Sequence, residues 1–237
     1  MTFSRPEHQI IADLLGRTDG QFLLDSKCWF GGGTAIVLRL GEYRRSLDLD
    51  FLCSHAEGYR ELRNAAVRMG SRAFFPREAV SARDPRIDQY GIRMFLIYRE
   101  LPIKVEIVRE ARIDVEGEMD PALNIPTLIV PDMFAEKLLA NADRCMDRSV
   151  GYRDAIDLGK LIQIYGGIPD SAVKKATHAY GADIERKLVW AINRLQNPEE
   201  LRYAAEMLLM DRRAAAEAIE ALRSECRGLW SESGPDE

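Results

Sequence analysis

The sequence has little of what marks a metal-finger, secreted or membrane protein. Its four cysteines, Cys28, Cys53, Cys145 and Cys226, stand singly with no Cys-x-x-Cys pair. That excludes a zinc ribbon or a disulfide framework and leaves scattered buried thiols. Three histidines occur, His8, His55 and His178, at spacings that do not suit metal ligation. His55 reads as a loop histidine without a task, with a place on a site rim as the alternative. No stretch reaches 18 uninterrupted apolar residues, and Met1-Thr2-Phe3-Ser4-Arg5-Pro6-Glu7 lacks the apolar core of a signal peptide. The expected compartment is the cytoplasm, with no membrane partner. Positive charge is not in excess either: the formal net charge of −5 argues against a general polyanion binder, though a local arginine patch stays compatible with it. Internal repeats and low-complexity tracts are also missing.

What is present is an ordinary globular composition, 46% hydrophobic and 30% charged, over 237 residues, enough for one large domain or two modest ones. Apolar spacing predicts an amphipathic helix over residues 5–16. Phe22-Leu23 and Trp29-Phe30 bracket a polar turn at Asp25-Ser26-Lys27, and a short strand leads into Gly31. Residues 35–40 read as a buried helix ended by Gly41, and residues 47–53 as a strand with Leu47, Leu49 and Phe51 inward. A helix over 59–69, an antiparallel hairpin of strands 91–98 and 103–108, and a short strand within 124–130 follow. From Pro131 onward the periodicity is helical almost throughout, over 133–145, 153–165, 171–178, 182–195, 198–210 and 212–226. The expected fold class is therefore α+β: a mixed-sheet core over 1–130, then a mostly helical domain over 131–237. The polar tail 231–237 reads as frayed.

The most informative stretch is Phe30-Gly31-Gly32-Gly33-Thr34, followed by Arg44-Arg45-Ser46-Leu47-Asp48-Leu49-Asp50-Phe51. Side chains two apart on a strand point to one face, so Asp48 and Asp50 project together beside a turn whose backbone can approach a phosphate. Hard oxygen ligands beside a phosphate cradle suit divalent-metal chemistry at a nucleotide. Glu106 is the candidate third carboxylate, on a strand where Lys104, Glu106 and Val108 share a face. That assignment requires its strand to lie beside the Asp48/Asp50 strand. Taken alone, an Asp-x-Asp is more often a solvated strand face, and a glycine run is an ordinary tight turn. Their order and spacing carry the signal.

The combination resembles the polymerase-beta-like nucleotidyltransferase superfamily and, more narrowly, the AbiEii/AbiGii-type toxin nucleotidyltransferases. The resemblance rests on Gly32-Gly33-Thr34-Ala35, the Arg44 to Phe51 string, Ala135-Glu136-Lys137-Leu138-Leu139-Ala140 and Arg153-Asp154-Ala155-Ile156-Asp157-Leu158. It implies that Asp48 and Asp50 bind Mg²⁺ or Mn²⁺; Glu106 is the candidate third ligand and, with Asp48, Asp50 and Asp157, a candidate catalytic residue. It also implies that Gly32, Gly33, Thr34, Arg44 and Ser46 hold the nucleotide and that Lys137 contacts the triphosphate. Asp157, supported by Arg153 and Asp154, would belong to the active-site wall. Arg153 and Asp157 are also i and i+4, so a plain helix-surface ion pair is the alternative there. Two departures from the family pattern stand out: the extra Gly31, and a glutamate at the third acidic position.

The resemblance implies a metal-dependent enzyme that moves a nucleotide from an NTP to an acceptor hydroxyl, on an RNA such as tRNA or on a protein. It would act as the toxin of a toxin–antitoxin or abortive-infection system, with a cognate antitoxin. Arg39, Arg44, Arg45, Arg60, Arg63, Arg68 and Arg72 are candidates for a basic rim. The alternatives are transfer to a small molecule, as in aminoglycoside nucleotidyltransferases, and a catalytically weak nucleotide-binding interaction protein.

Overall fold

The structure, a computed structural model, describes residues 3–230. It divides into two units, Met1–Glu42 with Ser46–Ile129, and Tyr43–Arg45 with Val130–Glu237. In chain order the first unit carries α1 (Pro6–Gly16), α2 (Gly20–Asp25), β1 (Trp29–Gly31), α3 (Gly32–Arg39), β2 (Leu49–Cys53) and α4 (Ala56–Met69). A 3-10 turn at Gly70–Ala73 leads to β3 (Val80–Ser81), β4 (Arg86–Ile87), β5 (Gly91–Tyr98), β6 (Leu101–Arg109), β7 (Gly117–Asp120) and β8 (Ile125–Leu128). The second unit holds α5 (Val130–Arg144), α6 (Arg153–Tyr165), α7 (Asp170–Tyr180), α8 (Asp183–Leu195), α9 (Pro198–Met207) and α10 (Arg212–Trp230). The fold is α+β. No described helix is long and apolar enough to cross a membrane.

One mixed sheet organises the first unit, in the order β3-β5-β6-β2-β1-β8-β7, with β4 beside β5. The β2–β6 and β1–β8 pairs are parallel, and β1–β2 and β5–β6 are antiparallel. Along β2 the residues Leu49, Phe51 and Cys53 are buried, and along β6 Ile103, Val105 and Ile107 are. This face packs into one core with Leu14 and Leu15 of α1 and Leu62 of α4. The period of two thus leaves Asp50, Lys104 and Glu106 on the opposite face. The β5–β6 hairpin closes through Arg99 and Glu100, both at positive φ, the backbone that a two-residue turn demands.

In the second unit α5 packs on α6, α7 and α8, and α10 packs on α6, α8 and α9. Helices α6 and α10 approach closely at Gly159, where a Cβ would collide with the Ala218 carbonyl. Glycine is required there for the two backbones to meet.

Several boundaries differ from expectation. Phe22 and Leu23 lie in a short helix whose N-terminus is capped by the Asp19 carboxylate, which accepts from the Phe22 amide. Helix α3 starts inside the glycine run, at Gly32. Strand β2 begins at Leu49, so Asp48 precedes it and Leu47 is only partly buried against the core. The short strands β3, β4 and β7 carry too few alternating residues to be read from sequence. Residues 231–237 lie outside the described residues.

Candidate functional site

The glycine turn and the acidic strands meet through sheet register. Gly31 of β1 is paired with Asp50 of β2, Asp50 with Glu106 of β6, and Glu106 with Arg93 of β5. The strand adjacency that a third carboxylate requires is therefore present. Gly32, at φ +66°, sits so close that a Cβ there would strike the Asp50 carboxylate. Only glycine lets the backbone take this left-handed turn and stay against Asp50. Glu106 is held by two cations: Lys104 Nζ lies 2.5 Å from Oε2, and Arg93 Nε 3.4 Å from Oε1.

Thr34, in the first turn of α3, is buried, and its hydroxyl is committed within the protein. It donates to the Asp48 carbonyl at 2.5 Å and lies 2.9 Å from Ser46 Oγ. The Ser46 amide donates to His8 Nε2 at 3.3 Å, and His8 Nδ1 lies 2.8 Å from Glu42 Oε1. Glu42 also accepts from the amides of Ser4 and Arg5 and from the Ser4 hydroxyl. Burial opposes its ionisation, but these donors outweigh it and lower its pKa to about 2.

The other expected residues fall in the helical unit, in a buried ion cluster. Arg44 is 2% exposed and grips Asp157 with two nitrogens, Nε at 2.7 Å and Nη2 at 2.8 Å. Lys137 Nζ, 3% exposed, lies 2.7 Å from Asp157 and 2.8 Å from Asp154. Arg144 also binds Asp154, at 2.7 and 2.9 Å, and the Tyr43 hydroxyl donates to Asp157 at 2.6 Å. Burial pushes both carboxyls up, but Arg44 and Lys137 around Asp157, and Lys137 and Arg144 around Asp154, hold both below the usual carboxylate range. Asp157 thus pairs with Arg44 and Lys137 rather than with its helix neighbour Arg153. The arginine set divides in the same way. Arg44 is buried and Arg39 pairs with Asp120 at 2.8 Å, whereas Arg60, Arg63 and Arg68 are exposed along α4.

His55 proves to have a task that a loop reading does not foresee: it caps α4, accepting from the Gly58 amide at 3.1 Å. It lies at the far end of β2 from Asp48. His8, Glu42, Arg93 and Arg144 were not foreseen. For Arg144 a signal existed, because Lys137 and Arg144 lie two turns apart on one helix face. For His8 and Glu42, 34 residues apart, spacing carries none.

Asp48, Asp50 and Glu106 are hard oxygen donors of the kind that hold Mg²⁺ or Mn²⁺. Among the described residues, no three or more His, Cys, Asp or Glu side chains are gathered as a ready-made metal cage. Asp48, Asp50 and Glu106 are thus not gathered around one point, and Glu106 is ion-paired with Lys104 and Arg93 instead.

A family model described as the nucleotidyl transferase AbiEii toxin of type IV toxin–antitoxin systems matches residues 13–229. No curated protein matches the chain. Among solved structures, a candidate nucleotidyltransferase of Helicobacter pylori superposes with a TM-score of 0.54 at 17% identity, covering 99% of this chain and all of the other. JHP933 from Helicobacter pylori superposes with a TM-score of 0.52 at 18% identity, covering 98% of this chain and 97% of that one. At such identities these likenesses establish the fold alone.

Proposed function

The chain belongs to the AbiEii nucleotidyltransferase toxin family, and on that premise we propose that it transfers a nucleotide from an NTP to an acceptor hydroxyl, using Mg²⁺ or Mn²⁺. The observation that carries this reading is the pairing of Gly31, Asp50 and Glu106 across three neighbouring strands, with Gly32 pressed against Asp50. In this reading Asp48 and Asp50 are the metal ligands, and Glu106 would join them on turning away from Lys104 and Arg93. A bound divalent ion would neutralise phosphate charge and make the acceptor hydroxyl more acidic. The acceptor hydroxyl gives up its proton to solvent as its oxygen forms a bond to the α-phosphorus, the bond from that phosphorus to the bridging oxygen breaks, and pyrophosphate leaves.

The chain's own residues bind and orient. The Gly32-Gly33 backbone at the start of α3 offers amide groups to phosphate oxygens. Thr34 and Ser46 hold the segment that carries Asp48 through the hydroxyl pair between them. Burial of Lys137 and Arg44 against Asp154 and Asp157 supports a role in building the helical unit's wall rather than as mobile phosphate contacts. The acceptor we assign is RNA. The exposed arginines of α4 lie behind the sheet, on the side opposite Asp50 and Glu106, so the assignment rests on the resemblance to tRNA-modifying toxins and on the assay below. The type IV toxin–antitoxin family supports a cognate antitoxin as a partner.

The test is incubation of purified protein with each labelled NTP, Mg²⁺ and bulk tRNA, then separately with an aminoglycoside and with candidate proteins. Label on tRNA is the expected result. Label only on the aminoglycoside or on protein would replace the acceptor assignment. NTP binding without any transfer would leave a nucleotide-binding interaction protein.

A further inference from the structure

Helix α1 contributes a fully buried histidine to the approach of β2, a residue that the family resemblance leaves without a role. We propose that His8 and Glu42 are positioning residues, which set Asp48 through a directed chain of hydrogen bonds running from Glu42 by way of His8, Ser46 and Thr34. The direction of every link follows from the donors. The Asp48 carbonyl can only accept, so the Thr34 hydroxyl proton points to it at 2.5 Å. Ser46 Oγ, 2.9 Å away, must then donate to Thr34 Oγ1. The Ser46 amide can only donate, so His8 Nε2 must carry a lone pair at that 3.3 Å contact. Nδ1 then carries the ring proton and gives it to Glu42 Oε1 at 2.8 Å.

His8 is therefore neutral with its proton on Nδ1, and a proton on Nε2 would face two N–H groups toward each other. Burial favours this neutral form by lowering the ring's pKa, against an opposing pull from Glu42. Glu42 is itself fixed, because its carboxylate accepts the amides of Ser4 and Arg5 at the entry to α1. The backbone at Glu42 takes a positive φ of 59°, directly after Gly41 at 79°. A left-handed turn thus delivers the carboxylate to α1. The consequence is that the segment Ser46 to Asp48, which lies outside the regular ladder of β2, is held by side chains of α1 and α3.

The part of this inference that concerns metal binding rests on the nucleotidyltransferase reading; the hydrogen-bond chain does not, and two measurements keep them apart. In the full chain with ¹⁵N-labelled histidine, nuclear magnetic resonance should report His8 as the neutral Nδ1–H form at neutral pH. In a His8→Phe variant the Ser46 amide should exchange with solvent roughly tenfold faster, as expected for loss of one hydrogen bond. An Nε2–H or doubly protonated His8, or unchanged Ser46 exchange, overturns the proposal whatever the enzyme does.

Mn²⁺ titration followed by electron paramagnetic resonance tests the positioning itself. His8→Phe and Ser46→Ala should weaken Mn²⁺ binding about 10- to 100-fold, the range for partners that orient a metal ligand. Half-maximal transfer should shift to higher Mn²⁺ by the same factor, with the rate at saturating Mn²⁺ nearly restored. His8→Gln, whose amide oxygen can accept from the Ser46 amide, should recover most of the affinity. Titration curves that superimpose on wild type in folded variants overturn the positioning role. Should His8→Phe not fold, Ser46→Ala decides, because it removes only the hydroxyl link. If wild-type protein binds Mn²⁺ yet transfers nothing, the function reading fails while the positioning result stands.

Discussion

In the sheet unit, Asp48, Asp50 and Glu106 sit half-buried around a glycine turn, two of them on neighbouring strands. In the helical unit, Asp154 and Asp157 are sealed from solvent and gripped by Arg44, Lys137 and Arg144. The same side-chain chemistry serves opposite ends. The first set stays near water, as a carboxylate proposed to receive a metal and a phosphate must, whereas the second has its charge answered by buried cations. Exposure, rather than residue type, separates the proposed site from the structural cluster.

The comparison breaks most sharply on transfer. Asp48→Asn and Asp50→Asn should each lower nucleotidyl transfer about a thousandfold or more, since several kcal/mol of charge stabilisation is lost. Thermal denaturation of either variant should change little. Wild-type activity in either one would remove it from the ligand set. Next in size, Lys137→Met should destabilise the fold by about 3 kcal/mol in urea titration. That is the lower end for a broken buried pair, because Arg44 and Arg144 still serve the two carboxylates. An unchanged midpoint with a raised KM for NTP would instead make Lys137 a triphosphate contact.

Acid should expose the same contrast. Asp154 and Asp157 are held below the ordinary carboxylate pKa of about 3.9, so the unfolded chain takes up protons that the folded cluster refuses. Their contribution is complete above about pH 4 and is lost as the pH falls below it. Circular dichroism across acid pH should show helix loss beginning in that range, and Asp154→Asn should flatten the dependence. Gly32→Ala should cost about 1–3 kcal/mol through its left-handed backbone, and it should weaken Mn²⁺ binding by displacing the Asp50 carboxylate. The smallest effect falls on Arg153→Ala, within about 0.5 kcal/mol, because Asp157 already has Arg44 and Lys137 as partners. A larger loss would restore the i, i+4 pair.

Local signals served the reading well where they repeat over many residues. Alternation along 103–108 and the long apolar stripes after Pro131 correspond to β6 and to α5 through α10. They failed for two-residue strands and for Phe22-Leu23, whose helix depends on the Asp19 cap and on contacts brought from elsewhere. At the candidate site the glycine turn and Asp50 were legible from their order and strand alternation, whereas the expectation that Asp48 shares that strand fails because β2 begins at Leu49. Lys137 was legible as a motif residue, but its burial was not. Nothing in a helix repeat tells an exposed lysine from one enclosed by Asp154 and Asp157, and the second unit's fold alone decides between them.

By itself, the sequence determined that a glycine turn would precede the acidic stretch and that Asp50 and Glu106 would stand on strand faces. It also determined that a helical half would follow residue 130, since each of these rests on backbone preference or short-range periodicity. Tertiary structure decided the rest. It paired Asp50 with Glu106, brought His8 and Glu42 to Ser46, and joined Arg44 to Asp157 across 113 residues of chain. Such pairings depend on which surfaces the folded chain brings together, and no spacing along the polymer encodes them directly.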